Sequence, residues 1–209
     1  LDVVDPPEEL KNDPRVTVLT GDITDRALLE KAIPQSTDSI FHMAAIVSAG
    51  AEEDFDLGMS VNLDATRNIL EICRGNRTKP KVVFASSCAG FGGDMPRIIE
   101  DMTARTPQTS YGTQKVIGEL LINDYSRKGF IDGRALRFPT VVVRPGKPNK
   151  AASTFASSII REPLQGQTAI CPVAPESKMF LASPRSIVQN IVHAHNLIAK
   201  EYLIIPYLL

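Results

Sequence analysis

Apolar residues along this chain fall into short strand-like runs and into spacings that suit one helix face, and the two patterns alternate in a regular order. Residues 1–4 (LDVV) read as the end of a strand, and 16–19 (VTVL) as a short strand that stops at Thr20-Gly21-Asp22. Thr24 and Asp25 then open a helix over 27–33, with Leu28 and Leu29 on its apolar side. A turn at 34–38 precedes a buried strand over 39–45. The next segment, roughly 52–74, carries Val61, Ala65, Ile69 and Ile72 at helical spacing and stops at Gly75 among basic residues.

Residues 81–86 (KVVFAS) form the next buried strand, and 87–109 an irregular stretch punctuated by Gly90, Gly92, Gly93, Pro96 and Pro107. A helix over 110–128 is expected to turn Val116, Ile117, Leu120 and Leu121 inward. Residues 133–143 (GRALRFPTVVV) read as a strand that ends or bulges at Pro139, which has no amide hydrogen for a ladder. A helix near 151–161, a short strand near 168–171 and a helix over 183–200 complete the pattern. Apolar strands alternating with helices predict an α/β fold, with a mostly parallel sheet covered on both faces.

Composition narrows the function classes. The chain has 209 residues, 43% hydrophobic and 22% charged, enough for one large α/β domain or two small ones with a real core. A formal net charge of -1 offers no basic field to nucleic acid or an acidic membrane surface. The longest apolar run, 202–209, is broken by Pro206 and falls short of the ~20 residues a bilayer span needs. Cys73, Cys88 and Cys171 are widely spaced without a CxxC pair, which fits a reducing compartment and offers no thiolate metal site. His42, His193 and His195 assemble no metal site by spacing either. No secretory leader is visible, so a cytoplasmic location is expected.

Tyr111-Gly112-Thr113-Gln114-Lys115 carries the strongest chemical signal. On a helix, positions i and i+4 share a face about 6 Å apart along the axis. An ammonium near a phenol favours the phenolate and draws its pKa down from about 10. A phenol so tuned can take the proton of an alcohol while hydride leaves the adjacent carbon. A YxxxK pair alone is common on helix surfaces. Here it follows Ser86-Ser87-Cys88 at the end of a predicted strand, where parallel strands open into a crevice. A serine there can hold a reacting oxygen, although serines at strand ends also serve simply to satisfy backbone groups. Cys88 reads foremost as a small buried hydrophobe, His193 and His195 as packing or surface residues, and Asp54 and Asp56 as acids favouring a helix start.

Six short motifs occur in order: GDITD at 21–25, HMAA at 42–45, VN at 61–62, FASSCAGFGG at 84–93, YGTQK at 111–115 and RFPTVVVRPG at 137–146. Together they make the chain resemble the extended short-chain dehydrogenase/reductase family, which includes nucleotide-sugar epimerases and dehydratases. The resemblance runs from residue 2 to about residue 200. It implies a Rossmann-like doubly wound parallel sheet, NAD as cofactor, and Ser87, Tyr111 and Lys115 as the catalytic set. Tyr111 would be the general base, Lys115 would bind the nicotinamide ribose, and Ser87 would hold the reacting oxygen. Asp22 and Ile23 would flank the adenine, and Met43, Ala44 and Ala45 would line the dinucleotide. Asn62 matches the family's structural asparagine and joins the cofactor-binding set. Pro139, Val141 and Val142 would close over the nicotinamide end. Asp2 would accept ribose hydroxyls and repel a 2′-phosphate, favouring NAD over NADP.

Within the family, FGG at 91–93, TPQTSYG at 106–112 and the stretch from Arg144 to Ser157 resemble enzymes that oxidise a four-carbon sugar acid such as D-erythronate at C2. A small carboxylate substrate calls for a cation, and Arg144, Lys147, Lys150 and Arg161 are candidates. Arg144 leads, because a guanidinium binds a carboxylate through two bonds, although an ordinary loop arginine paired with an acid would look the same. Asn149, Cys88, Ser87 and Tyr111 complete the expected substrate contacts. The family further implies a homodimer acting on a small-molecule sugar acid.

None of the 13 glycines forms a GxGxxG or GxxGxxG phosphate cradle, and the chain opens on Leu1, in mid-strand and without a Met. The expectation is a piece of a longer polypeptide. Residues 1–146 would be a dinucleotide-binding domain lacking its first strand–turn–helix, and 147–209 a partial substrate region whose 183–200 helix packs back on the first domain. Two alternatives stand beside the dehydrogenase reading. One is a nucleotide-sugar epimerase or dehydratase using the same trio with NAD regenerated each turnover; the other is a truncated, inactive Rossmann-like protein.

Overall fold

The computed structural model describes residues 1–76, 78–144 and 151–199. Three parallel strands, β1 (Ser39–His42), β2 (Lys81–Ser87) and β3 (Asp132–Phe138), pair in that order. β2 is central because Val82, Val83 and Phe84 are apolar toward both faces, and all three are fully buried. Ser39 sits opposite Lys81, which sits opposite Asp132, and Ser87 ends the ladder opposite Phe138. Parallel strands need long crossovers, and the helices supply them.

α1 (Glu8–Lys11) is a single surface turn, and α2 (Arg26–Ala32) precedes β1. Asp25 caps α2 by accepting the Ala27 and Leu28 amides at 2.9 and 3.2 Å. Between β1 and β2 run α3 (Ser48–Glu53), α4 (Phe55–Gly58), a π-helical stretch over Met59–Asp64, and α5 (Ala65–Gly75). α6 (Ser110–Arg127) joins β2 to β3. Leu29, Ile69, Leu70, Phe84, Ile122 and Ile131 interlock as the core between these helices and the sheet. Burial of a side chain the size of Phe84 contributes about 2–3 kcal/mol. Gly118 lets α6 lie close on β2, since a Cβ there would come 2.7 Å from the Phe84 ring.

Beyond β3 come β4 (Thr140–Val141), α7 (Phe155–Arg161), β5 (Leu181–Ala182) and α8 (Pro184–Asn196), with β4 and β5 forming a second, two-stranded parallel sheet. α8 packs against β2 and β3. Ser183 caps its start by accepting the Ser186 amide at 3.1 Å. At its other end the fully buried Arg134 donates to the carbonyls of Ala194 (2.7 Å) and Leu197 (2.8 Å), and Lys81 donates to that of His195. Cations thus satisfy the carbonyls that a helix end leaves open. His195 lies 2.8 Å from the Ser39 hydroxyl and stacks on Phe41, a packing role. The whole is a Rossmann-like α/β fold, and among the described residues no helix is long and apolar enough to cross a membrane.

Several elements differ from the sequence expectation. Residues 1–4 and 16–19 are not strands; a single bridge joins Asp2 to Thr20, with no further ladder among the described residues to bury their side chains. β1 stops at His42, and Phe41 remains half exposed. The helix expected over 52–74 is broken at Asp54, whose carboxylate accepts the Leu57 amide at 2.9 Å and so starts a new helix. The inward face of α6 is Lys115, Gly118, Glu119 and Ile122 rather than the apolar set around Leu120, which is 51% exposed. Charged and small residues meet the sheet beside Ile122, while Leu121 of the expected set packs partly against the core. Pro139 divides β3 from β4, as its missing amide requires. Residues 168–171 are not a strand, and Ile170 is 80% exposed; Leu181–Ala182 pairs with β4 instead.

Candidate active site

The C-terminal end of β2 and the first two turns of α6 form one wall of a cleft of about 600 Å³. β2 delivers Ser87, whose hydroxyl accepts the Ala89 amide at 3.1 Å and starts the 3-10 turn over Cys88–Gly90. Thr109 caps α6 by accepting the Gly112 amide at 3.0 Å, and Glu52 accepts that of Ser110. Gly112 lets the helix approach this turn, since a Cβ would overlap the Ala89 carbonyl. Tyr111 and Lys115 therefore project together beside Ser87, and all three line the cleft.

Lys115 is 1% exposed. Its ammonium lies 4.8 Å from the centre of the Phe84 ring and 5.7 Å from that of Tyr111, and no carboxylate pairs with it among the described residues. Burial pushes its pKa down to about 8, so it stays largely charged at neutral pH. His42, one layer behind, is driven to about 3 by burial and by the charge of Lys115, and is neutral. Thr66 donates its hydroxyl hydrogen to the Asn62 carbonyl (2.7 Å), so His42 Nε2 carries the hydrogen that Thr66 Oγ1 accepts at 2.8 Å.

Tyr111 departs from the sequence expectation. Its pKa is raised, not lowered: burial of the phenol dominates, the hydrogen bond with Ser87 pulls the other way, and Cys88 raises it further. The Lys115 ammonium sits over the ring face rather than beside the hydroxyl, so it does not offset the loss of water. Burial likewise raises the Cys88 thiol, which suits a small apolar wall residue better than a nucleophile.

The opposite wall comes from two extended segments. Met43 and Ala45 line the cleft while Ala44 between them does not, as alternation dictates. Asn62 is not at the surface of the cleft. Its amide grips the Ile46 backbone, accepting from N at 2.8 Å and donating to O at 3.0 Å, and also donates to Gln114 at 2.7 Å. It holds the lining loop rather than presenting itself to a ligand. Pro139 and Val141 line the cleft and Val142 does not.

Arg144 closes one end, its Nη2 donating to Thr154 Oγ1 at 3.2 Å. Arg161 is engaged elsewhere, donating to the Arg144 carbonyl at 2.7 Å and to Glu162 at 2.6 Å. Lys147, Asn149 and Lys150 lie outside the described residues. Asp2, Asp22 and Ile23 are not part of this cleft. Asp2 accepts the Val4 amide at 3.1 Å, Asp22 accepts that of Thr24 at 2.8 Å, and Ile23 packs against the core.

Sequence reasoning missed a buried polar layer behind the wall. Ser86 donates to Glu119, which also receives Arg137 Nε and Nη2 at 3.0 Å each and Arg105 Nη1 at 3.4 Å. The available signal was spacing, because Glu119 lies four residues past Lys115 on the face that meets the sheet.

The NAD-dependent epimerase/dehydratase family matches residues 3–179. D-erythronate dehydrogenase of Cupriavidus necator is 57% identical over 201 residues, covering 96% of this chain and 61% of that protein. The enzyme of the same name from Haemophilus influenzae is 56% identical over 194 residues, covering 93% and 61%. A crystal structure described as the nucleoside-diphosphate-sugar epimerase from Agrobacterium tumefaciens superposes with a TM-score of 0.82 at 48% identity, covering 88% of this chain and 55% of that one. The chain thus spans about three fifths of the length of the curated relatives it matches.

Proposed function

Because the chain belongs to the NAD-dependent epimerase/dehydratase family, we propose that it carries the catalytic cleft of an NAD-dependent sugar-acid dehydrogenase, which oxidises the C2 hydroxyl of D-erythronate or a close analogue to the 2-oxo acid. The observation that carries the proposal is the convergence of Ser87, Tyr111 and Lys115 on one cleft at the C-terminal end of a parallel strand. The cleft suits the cofactor. Lys115 offers its ammonium donors with no carboxylate partner among the described residues, which leaves them for ribose hydroxyls. Met43 and Ala45 would run beside the dinucleotide, with Pro139 and Val141 over the nicotinamide end. Asp22 and Ile23 would serve the adenine, and Asp2 the ribose hydroxyls that distinguish NAD from NADP. NAD, when bound, supplies the acceptor for the hydride.

The chain's own residues handle the proton and the orientation. Ser87 donates a hydrogen bond to the reacting oxygen and keeps it beside Tyr111. Tyr111, as phenolate, removes the hydroxyl proton while the C2 hydrogen departs with its electron pair. Lys115, over the ring face, would bind the nicotinamide ribose rather than tune the phenol. Arg144 binds the substrate carboxylate at the far end, which fixes which carbon faces the nicotinamide. Cys88 and Asn149 complete the substrate side.

The test is the appearance of NADH when the protein receives NAD and D-erythronate. Tyr111→Phe should cut that rate by at least about a hundredfold while NADH still binds. A rate within a few-fold of the unaltered protein sinks the catalytic assignment. The epimerase reading, favoured by the 48% identity to the Agrobacterium protein, predicts turnover of a nucleotide sugar without net NADH. We also read the chain as a homodimer, joined along the groove between α4 and α6 where Phe55 is exposed beside Met59 and Ile117. Sedimentation at a single monomer mass would discard that part.

A further inference from the structure

The polar layer behind the cleft joins every element that carries a reacting group. Glu119 is 2% exposed and sits one turn beyond Lys115 on α6. Its carboxylate receives Ser86 Oγ from β2, the Arg137 guanidinium from β3 and, more distantly, Arg105 from the loop that leads into Tyr111. Ser86 is the direct neighbour of Ser87. Arg137 precedes Phe138 and Pro139 of the cleft wall, and its guanidinium lies 5.4 Å from the ring centre of Phe91, another lining residue. A buried ion pair is a weak source of stability beside apolar packing, but its directional bonds fix how neighbouring elements seat.

We infer that Glu119 is a positioning residue for the cleft: its carboxylate, shared between Ser86 and Arg137, sets the separation between Ser87 on β2 and the Tyr111–Lys115 face of α6. This rests on the reading of Ser87, Tyr111 and Lys115 as the reacting set. Glu119 itself touches neither substrate nor cofactor.

The position of Ser87 has a direct reporter. Tyr111 is faced by Ser87, Cys88 and Lys115, and among the causes that shift its ionisation the Ser87 hydrogen bond alone favours the phenolate. If the Glu119 link is cut and Ser87 moves away, the Tyr111 titration moves up. The chain has four tyrosines and no tryptophan, so 3-fluorotyrosine labelling gives few fluorine resonances, and Tyr111→Phe identifies the relevant one. Fluorination also lowers the phenol titration toward accessible pH.

In the full chain, Ser86→Ala and Glu119→Gln should each raise the Tyr111 titration by about half a pH unit or more, with Glu119→Gln the larger. Glu119→Asp, which keeps the charge, should restore most of the shift. With D-erythronate, both altered proteins should lose about tenfold in kcat while NADH affinity stays within about threefold. Titrations that superimpose on the unaltered protein, even with a lowered melting temperature, would overturn the inference and leave the cluster a purely structural one. Ser86→Ala removes only a hydroxyl and carries the test should Glu119→Gln fail to fold. A shifted titration in a protein that makes no NADH from D-erythronate retains the positioning role and rejects the substrate.

Discussion

β2 and the N-terminal flank start from similar strand-like sequence and end in opposite states. In β2 each of Val82, Val83 and Phe84 lies between neighbouring strands and beneath helices, and none is reached by solvent. In the flank, Val3 and Val4 remain 67% and 68% exposed, and among the described residues a single isolated bridge, Asp2 to Thr20, is the backbone pairing between 1–4 and 16–20. Apolar character becomes a strand only where ladder partners and a second layer take both the backbone groups and the side chains out of water. On the proposed reading the two regions divide the labour. Ser87, Tyr111 and Lys115 hang from the densely packed region, whereas Asp2 and Asp22, expected to serve the adenosine end, hang from the sparse one.

The contrast breaks first at Phe84. Phe84→Ala removes the ring that meets Gly118, His42 and the Lys115 ammonium, and should cost about 3–5 kcal/mol in denaturant unfolding. A loss under about 1 kcal/mol would mean that β2 is no better packed than the flank.

Next in size is Lys115→Met, which replaces a desolvated cation with an apolar chain of similar length. It should abolish turnover yet raise stability at pH 7 by about 1–2 kcal/mol. The pH dependence has a definite sign. The folded pKa, about 8, lies below the unfolded value of 10.5, so in that window the unfolded chain binds more protons. The unaltered protein therefore gains stability as pH rises from 8 toward 10.5, and Lys115→Met lacks that gain. Parallel stability curves for the two proteins across the window would contradict it.

The smallest effect is expected in the flank. Val4→Thr should change unfolding free energy by no more than about 0.5 kcal/mol, because the side chain leaves little water on folding. A larger loss would show that the flank is buried in solution.

What was legible in the sequence follows the same division. β2, α6 and the meeting of Ser87, Tyr111 and Lys115 on one cleft were readable because local pattern fixes them: a continuous apolar run, a capped helix, and two residues four apart. The flank strands and the one expected at 168–171 misled because a strand is a property of pairs, and local pattern does not tell whether ladder partners lie alongside. The Glu119 cluster was hidden for another reason. Its members come from positions 86, 105, 119 and 137, and only the fold brings them within 3.5 Å. The Tyr111 phenol was misjudged because spacing gives the distance between two side chains but not whether an ammonium meets the hydroxyl or the ring.

Gly112 carries a consequence for genetics. The Ala89 carbonyl occupies the place where any other residue would put its first side-chain carbon. Every missense codon at this position must push the start of α6 off the turn that follows Ser87. In a selection for activity across all single substitutions, position 112 would therefore score as intolerant as Tyr111 or Lys115. A map of fitness alone would place it beside the proposed catalytic pair, although it has no side chain with which to do chemistry.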